Sequence, residues 1–272
     1  MCNILPPRRG RKGKGRGRPV TGGVLFSVRN VSKTFPGAAA PALSHVNLDI
    51  REGECLLIAG SNGSGKTLLM RIIAGLLEPG EGEVLFRGLP PDRQGGAIRR
   101  ETGLIFQDAD AQIVGETVEE DAAFGPANLG MSKAEIRERV DSALAAFGLE
   151  EKRLSPPRRL SGGEKRRLAA AGILAMGCST VIMDEPFANL DWPGVVQTLE
   201  TIRGLRDAGK TVIILTHELE KTLALAGRLV ILHRGLIRDD GEPAAVLDRL
   251  DAAWGVRDPR RNYAEVKDCS WL

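Results

Sequence analysis

Short apolar runs bounded by turn residues alternate along this chain with stretches in which apolar side chains recur every three or four positions. Cys55–Ala59, Val181–Met183 and the apolar part of "KTVIILTHELE" read as strands buried on both faces. "VLFSVRNVSKTF" and "SHVNLDI" alternate as half-buried strands do, and predict an antiparallel sheet near the N-terminus. Helical spacing follows Cys55–Ala59 in Leu69, Ile72, Ile73, Leu76 and Leu77. A further helix is predicted over "SKAEIRERVDSALAAFGL". Ser132 and Glu135 form its capping box, Ile136, Val140, Leu144 and Phe147 its apolar stripe, and Gly148 its stop. "TGLIF" adds a short strand before Gln107. The pattern predicts an α/β core with an antiparallel β subdomain in front and a helical insert of about fifty residues between Gln107 and Ser161.

The junction of the first buried strand and its helix carries chemistry. Gly60-Ser61-Asn62-Gly63-Ser64-Gly65-Lys66-Thr67 fits the spacing G-x-x-x-x-G-K-[ST]. Glycines let such a loop wrap so that successive N–H groups converge on phosphate oxygens, and the helix N-terminus adds its dipole. Lys66 has the reach for β- and γ-phosphates, and the Thr67 hydroxyl suits Mg²⁺. A chance match in a glycine-rich loop would lack the flanking strand and helix; both are present here. On local grounds Phe35, in "KTFPG", is either a ring that stacks on adenine or an edge core residue.

A second strand runs into adjacent acids, Asp184 and Glu185, with Pro186 ending it. Beside a phosphate loop, Asp184 is placed to hold Mg²⁺ through water and Glu185 to polarise a water for in-line attack on a γ-phosphate. The alternative for such a pair is a solvated surface loop. His217 ends a third strand, at the end of the sheet where open α/β folds place their ligands, and a hydrogen bond to the γ-phosphate suits it. Gln107 is a neutral side chain able to touch a metal or a water.

"RRLSGGEKRR" poses a puzzle. Ser161 and Glu164 make a capping box, which needs no glycines, yet Gly162 and Gly163 weaken the first helical turn by up to about 1 kcal/mol each relative to alanine.

Together these motifs resemble the ATP-binding cassette (ABC) family, over roughly residues 24–250 and in family order. "GSNGSGKT" looks like the Walker A loop of a P-loop NTPase core, Gln107 the Q-loop glutamine and "LSGGE" the family signature. "VIMDEP" looks like Walker B with its catalytic glutamate, "NLD" ending at Asp191 the D-loop, and His217 the switch histidine. Phe35 falls where the family stacks an aromatic ring on adenine. The resemblance implies ATP and Mg²⁺ as cofactors, with Thr67, Gln107 and Asp184 toward the metal. It also implies two cassettes head to tail, ATP on one Walker A loop being covered by the other's Ser161, Gly162, Gly163 and Glu164. The bare glycines then let a second helix N-terminus approach the γ-phosphate. The family's signature commonly ends in glutamine. Glu164 is therefore expected to face back along its helix, with Lys165 to Arg167 offsetting its charge.

"FQDADAQIVGETVEEDAAFGPANLGM" is similar to the cassettes of energy-coupling-factor and cobalt/nickel-type importers. That resemblance implies a membrane subunit docking near the Q-loop, where Asp108, Asp110, Glu116, Glu119, Glu120 and Asp121 are expected to meet basic helices. It implies a peripheral subunit on the cytoplasmic face of the cell membrane, driving uptake of a vitamin or transition-metal ion. A nucleic-acid-associated cassette ATPase of repair or translation type is the alternative. No coiled-coil insert and no second P-loop supports it, and no nucleic-acid partner is expected.

Composition adds little beyond the tail. Residues 1–23 hold seven Lys/Arg and no acid, leaving an acidic remainder under a net charge of +3. So glycine- and arginine-rich a tract is expected to stay disordered; an arm for nucleic acid or anionic lipid is the alternative to a plain solvated tail. Cys2, Cys55, Cys178 and Cys269 are far apart and read as reduced structural thiols, with no metal site. No apolar run approaches the eighteen or so residues that cross a bilayer. Residues 251–272 form a short C-terminal extension.

Overall fold

The chain lays down β1 (Val24–Lys33), β2 (Leu43–Arg51), β3 (Cys55–Ala59), α1 (Lys66–Ile73), β4 (Glu81–Phe86), α2 (Ala97–Glu101) and β5 (Thr102–Ile105). Then follow α3 (Val118–Asn128), α4 (Lys133–Ala146), α5 (Gly162–Met176), β6 (Thr180–Asp184), α6 (Trp192–Asp207), β7 (Thr211–Thr216), α7 (Leu219–Thr222), β8 (Arg228–His233), β9 (Leu236–Gly241) and α8 (Pro243–Asp248). This computed structural model describes residues 22–90, 96–106, 108, 110–188 and 190–260. The expectations for the basic tail, Cys2, Gln107 and Cys269, and for Asn189 of "NLD", lie outside the described residues.

Two sheets organise the strands. The smaller is antiparallel in the order β2-β1-β4, as the N-terminal pattern predicts; the larger runs β5-β6-β7-β3-β8-β9 and is parallel except for the edge strand β9. β3 shows why its sequence is apolar throughout. Leu56 and Ile58 join Phe26, Phe86, Ile213, Leu215 and Val230 on the face toward the small sheet and α1. Cys55, Leu57 and Ala59 join Val195, Ile202 and Leu205 of α6 on the opposite face. Successive side chains point to opposite faces, so a strand covered on both sides reads as one apolar run. A third core, including Val118, Val140, Leu144 and Leu168, is built by α3, α4 and α5 with Leu149 and Leu160 from the segment between α4 and α5.

Two local expectations are corrected. α1 stops at Ile73, because the chain turns through Gly75 at φ +68°, so Leu76 and Leu77 do not extend its stripe and Leu76 is exposed. The alternation in β1 gives way to four buried residues in a row, Leu25–Val28, where the pairing register shifts on either side of the run. The boxes at Ser132/Glu135 and Ser161/Glu164 both form, and a third, Thr117/Glu120, caps α3. Its T-x-x-E signal stands in "TVEE". Cys55 and Cys178 are free and buried, and burial pushes both thiols up to about 11. Among the described residues no helix is long and apolar enough to cross a membrane.

Candidate functional site

β3 delivers the chain into a turn at Gly60 that only glycine fits. A Cβ there would lie 2.2 Å from the Leu232 carbonyl oxygen and 2.6 Å from Ser64 Oγ. Gly65, at φ +104°, forms the N-cap of α1, and no side chain caps that helix. α3, α4 and α5 close their N-termini with capping boxes; α1 leaves its first-turn amides facing the loop, the arrangement that takes an anion. Lys66 folds back over the loop, donating to the carbonyls of Gly60 at 2.7 Å and Ser61 at 3.3 Å.

Parallel pairing of β6 and β7 beside β3 brings the acids to the same end. Asp184 is in register with Leu215, and the next amide, that of Glu185, donates to the Leu215 carbonyl at 2.8 Å. Glu185 sits at φ +46°, a region residues with a Cβ seldom use and one that concentrates at functional sites. The Thr67 hydroxyl donates to Asp184 Oδ2 at 2.8 Å. Asp184 Oδ1 is buried and accepts no hydrogen bond from the described residues. Burial raises the Asp184 carboxyl above its usual range, against the opposing pull of the Thr67 bond and Lys66. Glu185 Oε1 lies 3.3 Å from Lys66 Nζ as an ion pair, and Oε2 lies 3.0 Å from His217 Nδ1. Lys66, Thr67, Asp184, Glu185 and His217 thus form one cluster, and the His217 ring addresses Glu185.

The Ser161–Glu164 turn stands apart. Among the described residues no hydrogen bond or ion pair joins it to Lys66, Asp184 or Glu185. Glu164 does face back along its helix: Oε2 accepts the Ser161 amide at 2.9 Å and Ser161 Oγ accepts the Glu164 amide at 3.3 Å. Its charge, however, is offset mainly by a residue the sequence did not single out. Lys152 Nζ lies 2.5 Å from Glu164 Oε1, while Arg167 approaches only to 3.8 Å. Lys165 pairs with Asp110, and Arg166 donates to the Ala188 carbonyl at 2.7 Å. The two glycines also differ. A Cβ on Gly163 would meet Gln197 Oε1 at 3.3 Å, so that glycine lets α5 approach α6, whereas a Cβ on Gly162 meets nothing closer than 3.9 Å.

Asp191 caps α6, accepting the Gly194 amide at 3.0 Å. Phe35 lies between β1 and β2 and is 46% exposed, a free ring and not an edge core residue. The acids expected to face a docking groove are mostly held within the chain. Asp121 accepts the amides of Val114 and Gly115 at 2.8 and 3.0 Å, Glu120 caps α3, Glu119 pairs with Arg153 at 3.0 Å and Asp110 pairs with Lys165.

Comparison with known proteins accords with this geometry. The ABC transporter family model matches residues 43–188. A cobalt import ATP-binding protein, CbiO, of Rhodobacter capsulatus is 42% identical over 235 residues, 85% of this chain and 84% of that protein. An energy-coupling factor transporter ATP-binding protein, EcfA, of Methanosarcina acetivorans is 43% identical over 230 residues, 83% of this chain and 82% of that protein. A solved dimeric bacterial ABC transporter cassette superposes with a TM-score of 0.70 at 30% identity, over 80% of this chain and 99% of that one. A phosphate loop, a strand-end acid pair and a glycine-started helix in this fold, with a family match over more than half of the chain, place it: the chain belongs to the ABC transporter family, as an ATP-binding subunit whose ATPase activity is coupled to transport.

Proposed function

We propose that this chain energises a membrane importer of the energy-coupling-factor or cobalt type, by hydrolysing ATP between two head-to-tail cassettes. The observation that carries the reading is Glu185, held 3.0 Å from His217 and 3.3 Å from Lys66 at the mouth of the phosphate loop. Gly60 to Lys66 take the phosphates, Phe35 stacks on adenine, and the Ser161–Gly162–Gly163 turn of one cassette meets the γ-phosphate bound by the other. Glu185 takes a proton from the attacking water as the water oxygen bonds to the γ-phosphorus and the β–γ bridging oxygen leaves with ADP. His217 holds Glu185 in position for that step, and Asp191 shapes the start of α6 at the cassette interface.

Thr67 and Asp184 fit Mg²⁺. A hydroxyl and a carboxylate stand side by side, and one carboxylate oxygen is buried with no hydrogen-bond partner among the described residues, a donor set for a hard divalent cation. When bound, Mg²⁺ neutralises charge on the β- and γ-phosphate oxygens. Gln107 is assigned to the same metal on resemblance alone.

The membrane subunit docks near the Q-loop from the cytoplasmic side. Because Glu119 and Asp110 are paired with cations and Glu120 and Asp121 are tied to backbone amides, this face recognises its partner more through exposed apolar side chains, Val114 and Phe124, than through free acidic side chains. Cobalt enters as the solute class through a relative's name and a vitamin through the sequence resemblance alone, and a separate membrane subunit makes the selection.

Glu185→Gln tests the reading. It should bind ATP, hydrolyse it about 10²–10⁴-fold more slowly and accumulate as an ATP-bound dimer in light scattering. Turnover at the normal rate would overturn it.

A further inference from the structure

The signature turn is held by a side chain from outside it. Lys152 closes a short 3₁₀ turn, Glu150–Lys152, whose mount is firm: its amide donates to the carbonyl of fully buried Leu149 at 3.0 Å, and its carbonyl accepts the Ser155 amide at 2.8 Å. From there the ammonium reaches Glu164 Oε1 at 2.5 Å. The other carboxylate oxygen, Oε2, accepts the Ser161 amide, so one carboxylate bridges Lys152 to the first residue of the turn. Among the described residues no other cation makes this bridge. Lys165 is committed to Asp110, and Arg167 stands at 3.8 Å, beyond hydrogen-bond reach.

We infer that Lys152 is a positioning residue for hydrolysis, fixing the Ser161–Gly162 turn in the orientation that meets the partner cassette's nucleotide. This rests on the head-to-tail reading above. Its physical logic follows from Glu164. An anion three residues from a triphosphate-facing serine is tolerable only while it is turned away and neutralised. Without Lys152 the carboxylate retains a single distant cation, the Ser161 amide loses a fixed acceptor, and negative charge is free to swing toward the γ-phosphate. Glutamine at 164 carries no charge and has no such need, so the requirement for Lys152 exists only because Glu164 is an acid. Lys152 itself is 46% exposed, so its replacement leaves the fold intact.

The test is a double-mutant cycle on the purified full-length chain, reading ATP hydrolysis at protein concentrations that span dimerisation. Lys152→Met should lower kcat/KM for ATP about fivefold, the scale of a half-exposed charge pair. It should leave the affinity of dilute protein for a fluorescent ATP analogue unchanged, because the chain's own phosphate loop is untouched. On a Glu164→Gln background the same substitution should cost nothing, and Lys152→Arg should retain most of the rate. An equal loss in both backgrounds, or none in either, overturns the assignment. Ser161→Ala, run alongside, separates the two levels. If it is slow while Lys152→Met is normal, only the Lys152 assignment falls; if it is itself normal, the head-to-tail reading falls and takes the assignment with it.

Discussion

The Lys66 ammonium sits 3.3 Å from Glu185 Oε1, with the two side chains only 6% and 10% exposed. The lysine expected to grip phosphates and the glutamate expected to activate water therefore hold one another. A γ-phosphate must compete with Glu185 for Lys66, and it brings further negative charge toward the same carboxylate. Glu185→Gln removes both obstacles. Its dissociation constant for Mg²⁺-free ATP should fall roughly tenfold, the size of one hydrogen bond to a charged group. Calorimetry on dilute protein measures it, and an unchanged constant would show that the pair does not compete with nucleotide.

Asp184 is the complementary case, a carboxylate burdened by its own burial. Its folded-state pKa is raised, chiefly by desolvation, so its contribution to stability is greatest at low pH and is lost as pH rises through the folded value. At neutral pH the charged form is a net cost. Asp184→Asn should therefore raise the melting midpoint in magnesium-free buffer by about 2–4 °C, equivalent to ~1 kcal/mol. The same variant should lose the further gain that Mg²⁺ with ATP confers on the native chain. A midpoint that falls would mean that the Thr67 hydrogen bond outweighs the buried charge.

What could be read from the chain alone follows the distance over which each feature is encoded. Gly60 to Thr67 and the boxes at Ser132 and Ser161 lie within eight residues, and their local backbone geometry is the one those motifs dictate. β4 escaped notice because it is half polar, with only Val84 and Phe86 fully buried. β8 escaped notice too: its run "RLVILH" is apolar, but it carries no motif and nothing local places it beside β3. The partners of functional side chains were hardest to foresee. The Lys165–Arg167 run stands next to Glu164 in sequence, yet helical rotation carries Lys165 to Asp110 and Arg166 to Ala188. Lys152, twelve residues away, reaches Glu164 through a turn that tertiary packing sets.

The two signature glycines separate stability from function. Gly162 opens α5 with no steric demand inside the chain, so Gly162→Ala should stabilise the isolated protein by about 0.5–1 kcal/mol, through the reduced entropy of the unfolded chain. On the proposed head-to-tail reading, the added methyl group would stand where the partner's γ-phosphate approaches, so hydrolysis should fall at least tenfold. Gly163→Ala should instead gain little or no stability, since its Cβ would press on Gln197 Oε1 at 3.3 Å. Thermal melts beside ATPase rates for both variants decide it. If Gly162→Ala keeps full activity, the bare turn is not a phosphate contact.

Glu164 ties the signature turn to pH. The Lys152 hydrogen bond is the largest influence that holds its carboxyl below the ordinary 4.5, and the bonds to Ser161 act in the same direction. A carboxyl depressed in this way stabilises the fold above its unfolded value and loses that contribution as pH falls through the folded one. Because Lys152 is half exposed, solvent screening keeps the stabilisation at or below about 1 kcal/mol. Glu164→Gln should therefore melt about 2–4 °C lower at neutral pH, and the difference should close as the pH is taken well below 4.5. High salt should narrow the gap at neutral pH by screening the same pair. If the gap instead stays constant from neutral to strongly acidic pH, the amide–hydroxyl geometry alone holds the turn and the carboxylate charge has no part in it.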